Sequence, residues 1–185
     1  RLVASSAGGA LGAAQLEGLQ EETFRQMFQA SGTNPLAGIE GRVELLRSLG
    51  KTCRLRPDMF ASEGAARPGG LVDVIFAESR NGAIGAPRIL SILLDALGPI
   101  WPSRISLQNI PLGDSWIYPP WQRGREPDAE CIVPFHKLSQ WMTFSLIEPL
   151  QQAGLDVFDI DGLTGLAEYR NGGLLVDGRV LLPKQ

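Results

Sequence analysis

Apolar residues recur at helical spacing along most of the chain. Over residues 21–30, Phe24, Met27 and Phe28 fall three and four apart, as on one face of a helix, and Asn34-Pro35 then marks a break. A longer pattern spans Ile39–Leu55. Ile39, Val43, Leu46 and Leu49 or Gly50 form its stripe, Arg42, Glu44 and Arg47 lie mostly off it, and Pro57 ends it. A Gly/Ala/Pro-rich link follows over residues 61–70. Apolar runs then cover residues 71–77 and 89–97, with Asn81-Gly82 and Gly85 between them as a loop. The second run starts after Pro87 and stops before Gly98-Pro99, as helices do. The longest helical pattern covers residues 136–152, with Leu138, Trp141, Met142 and Leu146 as its stripe and Pro149 as a kink or an end.

Two stretches break this rhythm. Between Pro99 and Pro127, Trp101, Trp116, Tyr118 and Trp121 are spread among prolines and polar residues, too interrupted for regular helix. A long ordered loop is expected there, with a short strand over residues 105–110, and its tryptophans are better explained as a packed lid or pocket wall. Near the C-terminus, Gly178 separates two apolar runs as a hairpin turn would, predicting a short β-hairpin over residues 174–182. Residues 3–14 are mostly Ala, Gly and Ser, so residues 1–20 are expected to be a flexible or loosely packed arm. The pattern therefore predicts a mainly α fold. Its single helical domain spans residues 21–185.

Composition narrows the function classes. Apolar residues are 44% and charged residues 20%, enough for one sizeable core in 185 residues. The net charge of -3 argues against a surface that neutralises many nucleic-acid phosphates, whereas one or two cations suffice for a small anionic metabolite. The two cysteines, Cys53 and Cys131, have no ligand at zinc spacing and read as reduced, packed thiols of a cytoplasmic protein. No apolar run is long enough to span a membrane. The chain opens on Arg1 without an intact signal-peptide pattern, as expected of a processed, trimmed or partial chain.

Candidate chemistry gathers in residues 162–177. There Glu168, Tyr169, Arg170 and Asn171 place an acid, a phenol, a guanidinium and an amide in consecutive positions between Gly162 and Gly165 on one side and Gly172 and Gly173 on the other. His136, the single histidine, is the one imidazole available for acid or base work near neutral pH, or else a capping or packing residue. Gln140 lies one turn from it. Asp114, beside Gly113 and Trp116, is either a turn former or helix cap, or an acid against an apolar wall. Ser139 and Cys131 lack the glycines of a nucleophile elbow. Asp156, Asp159 and Asp161 lack the spacing of a calcium loop, and no metal or other cofactor is expected.

Residues 132–150 (IVPFHKLSQWMTFSLIEPL) and 161–177 (DGLTGLAEYRNGGLLVD) resemble the uracil catabolism protein family, a fungal and bacterial group tied to pyrimidine degradation. Arg67-Pro-Gly-Gly70, residues 97–102 (LGPIWP) and residues 111–116 (PLGDSW) support the likeness, which covers essentially the whole chain. Ala167 departs from it, standing where proline is expected. Members of that family are longer, which implies that this chain corresponds to their C-terminal half. Residues 136–140 (HKLSQ) and 166–170 (LAEYR) are similar to segments of the queuosine salvage proteins, N-glycosidases with a helical fold of helix-hairpin-helix glycosylase type. Their acid is Asp where this chain has Glu168.

The two resemblances together imply cleavage of a C–N bond in a nucleotide-derived substrate such as ribosylurea phosphate. Glu168 would supply the carboxylate and His136 or Lys137 would assist the leaving group. Arg170 would hold a phosphate or carbonyl, Tyr169, Gln140 and Asn171 would orient the substrate, and Asp114 with Trp116 would form a pocket wall. The competing expectations are a non-catalytic scaffold for other pyrimidine-degrading enzymes and, less favoured by the acidic charge, a nucleic-acid-binding helical module.

Overall fold

The computed structural model describes residues 11–62, 65–102, 105–122, 129–165, 169–182 and 184, and the fold is mainly helical. Helix α1 (Ala13–Glu17) and α2 (Glu21–Met27) lead into the long α3 (Ile39–Leu55). Helix α1 lies tightly on α3, with Ala13 and Leu16 buried. A Cβ at Gly50 would stand 2.7 Å from Ala13 O and Glu17 N, so only glycine permits this approach. Glu17 also pairs with Arg54 at 2.8 Å, and Arg47 Nε donates to Leu19 O at 2.9 Å. Residues 11–20, expected as part of a loose arm, are thus packed. Ala13, one of the small residues that read as flexibility, is buried against α3 instead, and residues 1–10 of the expected arm lie outside the described residues.

Pro57 ends α3 as expected, and α4 (Pro57–Phe60) leads to the antiparallel pair β1 (Ala61–Ser62) and β2 (Ala65–Ala66). Then follow α5 (Gly70–Glu78), β3 (Ala83–Gly85) and α6 (Ala86–Leu97), capped by a 3-10 turn over Gly98–Ile100. Ile89, Ile92, Leu93 and Ala96 make α6 the centre of the core. Each large aliphatic side chain buried in this way contributes on the order of 1.5–3 kcal/mol.

The Pro/Trp segment folds as short hairpins. Strands β4 (Ser106–Leu107) and β5 (Ile110–Pro111) pair antiparallel. The single strand expected over residues 105–110 is broken by Gln108 and Asn109, whose φ values of 50° and 64° form the left-handed turn that suits the twist of a two-residue hairpin. Strand β6 (Ser115–Ile117) precedes α7 (Pro119–Gln122) and pairs antiparallel with β7 (Ile132–Pro134), placing Trp116 opposite Val133. That pairing carries the Pro111-to-Trp116 stretch onto the start of α8 (Lys137–Gln152), which packs against α6. Strand β8 (Asp156–Phe158) then runs parallel to β3 with buried Val157 opposite Ile84.

Helix α9 (Tyr169–Asp177) replaces the expected C-terminal hairpin. Arg179 takes a left-handed φ of 57°, its N–H donates to Val176 O at 3.0 Å, and the N–H of Val180 donates to Leu175 O at 2.8 Å. This is a Schellman closure of a helix. Gly178, which looked like a hairpin turn between apolar runs, sits at the helix end beside it. None of the described helices is long and apolar enough to cross a membrane.

Candidate functional site

The β6–β7 pairing sets Asp114 against the first turn of α8. The backbone carbonyl of Asp114 accepts from the N–H groups of Phe135 at 3.1 Å and His136 at 2.9 Å. Its carboxylate Oδ2 accepts from the backbone N–H of Lys137 at 2.7 Å, and Oδ1 accepts from the Trp116 indole at 3.3 Å. An anion there satisfies an orphan donor of the helix and complements its positive end. Asp114 therefore caps α8 from a distant part of the chain.

His136, the residue before α8, has φ 46° and ψ 38°, a left-handed conformation that costs a non-glycine residue about 1–2 kcal/mol. Asp114 holds it there from two sides, through the His136 and Lys137 amides. The half-buried imidazole titrates below its ordinary range because burial disfavours the cation, with the Asp114 carboxylate pulling the other way.

Two cavities meet at this point. The larger, about 440 Å³, is walled by Trp101, Pro102, Trp116, Leu138 and Lys137, with Asp114 and Ser115 in its floor. The smaller, about 180 Å³, is walled by Leu94, Pro111, Leu112, His136 and Ser139. Both share Trp101, Gly113 and Asp114. Gly113 has φ 61°, and a Cβ there would lie 4.0 Å from the Trp101 ring. Trp116 is 47% exposed and Leu138 51%, so the larger cavity has apolar walls open to a ligand.

One helical turn on, buried Gln140 is occupied at both ends of its amide. Its Nε2 donates to the Thr164 hydroxyl, and its Oε1 accepts the backbone N–H of Thr164 at 3.1 Å. Gln140 thus anchors Thr164. Glu168 itself lies outside the described residues. Tyr169 opens α9, and Arg170 and Asn171 follow exposed on its first turn, outside the walls of both cavities.

The structure therefore joins Asp114, Trp116, His136 and Lys137 in one cleft. It adds Trp101 as a wall common to both cavities, Ser139 in the wall of the smaller one and Thr164 as the partner of Gln140. Spacing gave no signal for Thr164, because its contact spans 24 residues. Cys131 is fully buried, and burial pushes the Cys53 thiol up to about 11, so neither is poised as a nucleophile. Among the described residues no group of three His, Cys, Asp or Glu side chains could hold a metal ion.

Comparison with known proteins places these residues in a family. No solved structure matches the chain. It is 39% identical over 176 residues to "Uracil catabolism protein 4" of Lachancea kluyveri, covering 90% of this chain and 40% of that protein. It is 39% identical over 168 residues to "Protein urg3" of Schizosaccharomyces pombe, covering 90% of this chain and 38% of that one. The chain thus spans about two fifths of the length of these relatives. Residues 5–185 match the family described as "Protein of unknown function (DUF1688)", and the chain belongs to it.

Proposed function

We propose that this chain forms the substrate cleft of a protein of uracil catabolism, and that the cleft hydrolyses the C–N bond of a nucleotide-derived substrate such as ribosylurea phosphate. The observation that carries this reading is Asp114 in the lining of both cavities, with His136 lining the smaller, Lys137 and Trp116 the larger, and Trp101 common to both. The printed name of the Lachancea relative supplies the pathway. A helical fold of glycosylase type belongs to the same reading.

Cleavage needs a sugar cation to be stabilised, a water to be held and the departing nitrogen to be protonated. The water oxygen bonds to the anomeric carbon as the C–N bond breaks with its electron pair on nitrogen. The proton given up by the water ends on that nitrogen, so urea and a ribose phosphate result without any redox partner. Glu168 activates the water. A neutral His136 moves the proton and Lys137 holds the phosphate or carbonyl. Tyr169 orients the substrate, as do Arg170 and Asn171 from outside the cavity walls, on the first turn of α9.

Purified full-length protein should release urea or free base from such nucleotides, and Glu168→Gln should abolish release. No release from wild type, with Glu168→Gln behaving identically, would sink the reading. A scaffold role is the alternative, with Glu168, Tyr169 and Arg170 as a structural ion network. It predicts a large loss of thermal stability for Glu168→Gln, where catalysis predicts lost turnover with stability kept.

A further inference from the structure

We infer that the cleft divides its substrate at Asp114, taking an uncharged planar ring or ureide in the smaller cavity and a sugar phosphate in the larger. The inference rests on the hydrolytic reading and assigns its parts. The two cavities differ in charge and size. Lys137 supplies an ammonium group to the larger one, whereas among the described residues no lysine or arginine lines the smaller. A phosphate placed in the smaller cavity would lose its hydration without a cation in return, which is strongly unfavourable.

The smaller cavity instead offers apolar walls from Leu94, Pro111 and Leu112, with polar groups from His136 and Ser139, the lining that suits a flat neutral group. At about 180 Å³ it is less than half the size of the larger cavity, so the smaller part of the substrate falls to it. The larger cavity, at about 440 Å³, accepts the remainder, with the indole of Trp116 against the sugar's C–H face.

Only Trp101, Gly113 and Asp114 belong to both walls, so the bond joining the two halves of the substrate crosses between them. Asp114 is the polar side chain of the three. Its carboxylate is fixed by the Lys137 amide and the Trp116 indole, so it is already oriented before a ligand arrives. It faces the anomeric carbon and stabilises the positive charge that develops there as the C–N bond lengthens. Gly113, with φ at 61°, supplies the left-handed turn that brings Asp114 to this boundary.

Calorimetric titration of full-length protein with uracil and with ribose 5-phosphate tests the division, alongside product release from ribosylurea phosphate. Leu94→Phe, which fills the smaller cavity, should weaken uracil about tenfold or more and leave ribose 5-phosphate within about twofold, and Lys137→Gln should do the reverse. Asp114→Asn should bind both probes yet lose about a hundredfold or more in release. Circular dichroism melts of all three variants confirm folding, and Lys137→Gln, which leaves in place the backbone N–H that Asp114 accepts, is the safe arm. Competition between the two probes, or equal weakening of both by each variant, overturns the division while wild-type release keeps the hydrolytic reading. Independent binding of both probes without any release keeps the division and overturns hydrolysis. Full turnover by Asp114→Asn removes Asp114 from the reacting bond.

Discussion

Asp114 and Lys137 are joined across 23 residues by a 2.7 Å hydrogen bond from the Lys137 amide to the Asp114 carboxylate. The first turn of α8 is thus capped by a residue from a different part of the chain, since His136, at the capping position, makes no side-chain cap of its own. Removing the acceptor leaves that amide unsatisfied. Asp114→Ala should cost about 1 kcal/mol, within the range of about 0.5–2 kcal/mol seen for helix caps, whereas Asp114→Asn keeps an acceptor oxygen and should cost less. Denaturant titration of the two variants separates them, and equal losses would mean that the cap contributes nothing.

The Gln140–Thr164 pair predicts a different failure. Gln140→Leu fits a buried helical position but removes the acceptor of the Thr164 N–H, and because Thr164 is exposed and water can take over, the cost should be about 0.5–1.5 kcal/mol. The loss should be local, so limited proteolysis should cut faster near residues 162–165 while the rest of the chain keeps its protection. Gln140→Glu retains the acceptor for the Thr164 amide, and the Thr164 hydroxyl can turn to donate, so it should be milder. Unchanged cleavage in Gln140→Leu would show that the segment is held by other contacts.

These two tethers also mark what a reader of the sequence could find. The helices of the core were legible, because Ile39, Val43, Ile89 and Leu93 repeat at helical spacing and are all buried. Asp114, Trp116, His136 and Lys137 were legible as types of chemistry. That they share one cleft depended on Trp116 pairing with Val133, a long-range register that local pattern does not encode. The C-terminal region misled for the opposite reason. Leu174, Leu175 and Val176 suit a strand or a helix equally, and a left-handed Arg179 rather than a glycine closes the helix.

Arg179 is therefore a position where the fold tolerates strain. With φ at 57°, glycine there avoids the steric cost that a β-carbon incurs. Arg179→Gly should stabilise the end of α9 by up to about 1 kcal/mol, provided the arginine side chain contributes little. Amide exchange at Val180, whose N–H closes the cap, should slow. Faster exchange in the variant would mean that the arginine itself holds the turn.

Gly50 is the converse case, a glycine needed for space rather than for φ. Its Cβ position lies 2.7 Å from Ala13 O and Glu17 N, both backbone atoms that cannot swing away. Gly50→Ala should cost about 1–3 kcal/mol and displace α1 from α3. Hydrogen exchange should then show Leu16 and Leu19 losing protection before the helices around α6 do. Uniform loss across the chain would instead mean that α1 and the core unfold as one unit.

Acid titration tests the environment of His136 most directly. Burial lowers the pKa of the imidazole in the folded protein, against the pull of Asp114, while the unfolded chain keeps a value near about 6.5. Between those two values the unfolded state binds more protons, so stability rises with pH there. The contribution is complete above the unfolded value and is lost as pH falls through the folded one. His136→Asn suits the same left-handed backbone and removes the ionisable group. Urea unfolding from about pH 7.5 down to about pH 5.5 should therefore reveal a decline in wild type that the variant lacks, in a range where carboxylates contribute little. If His136 moves the proton as a neutral base, release of urea should fall on the acid side of this same ionisation. Parallel stability curves for the two proteins would show that burial of the imidazole does not govern its charge.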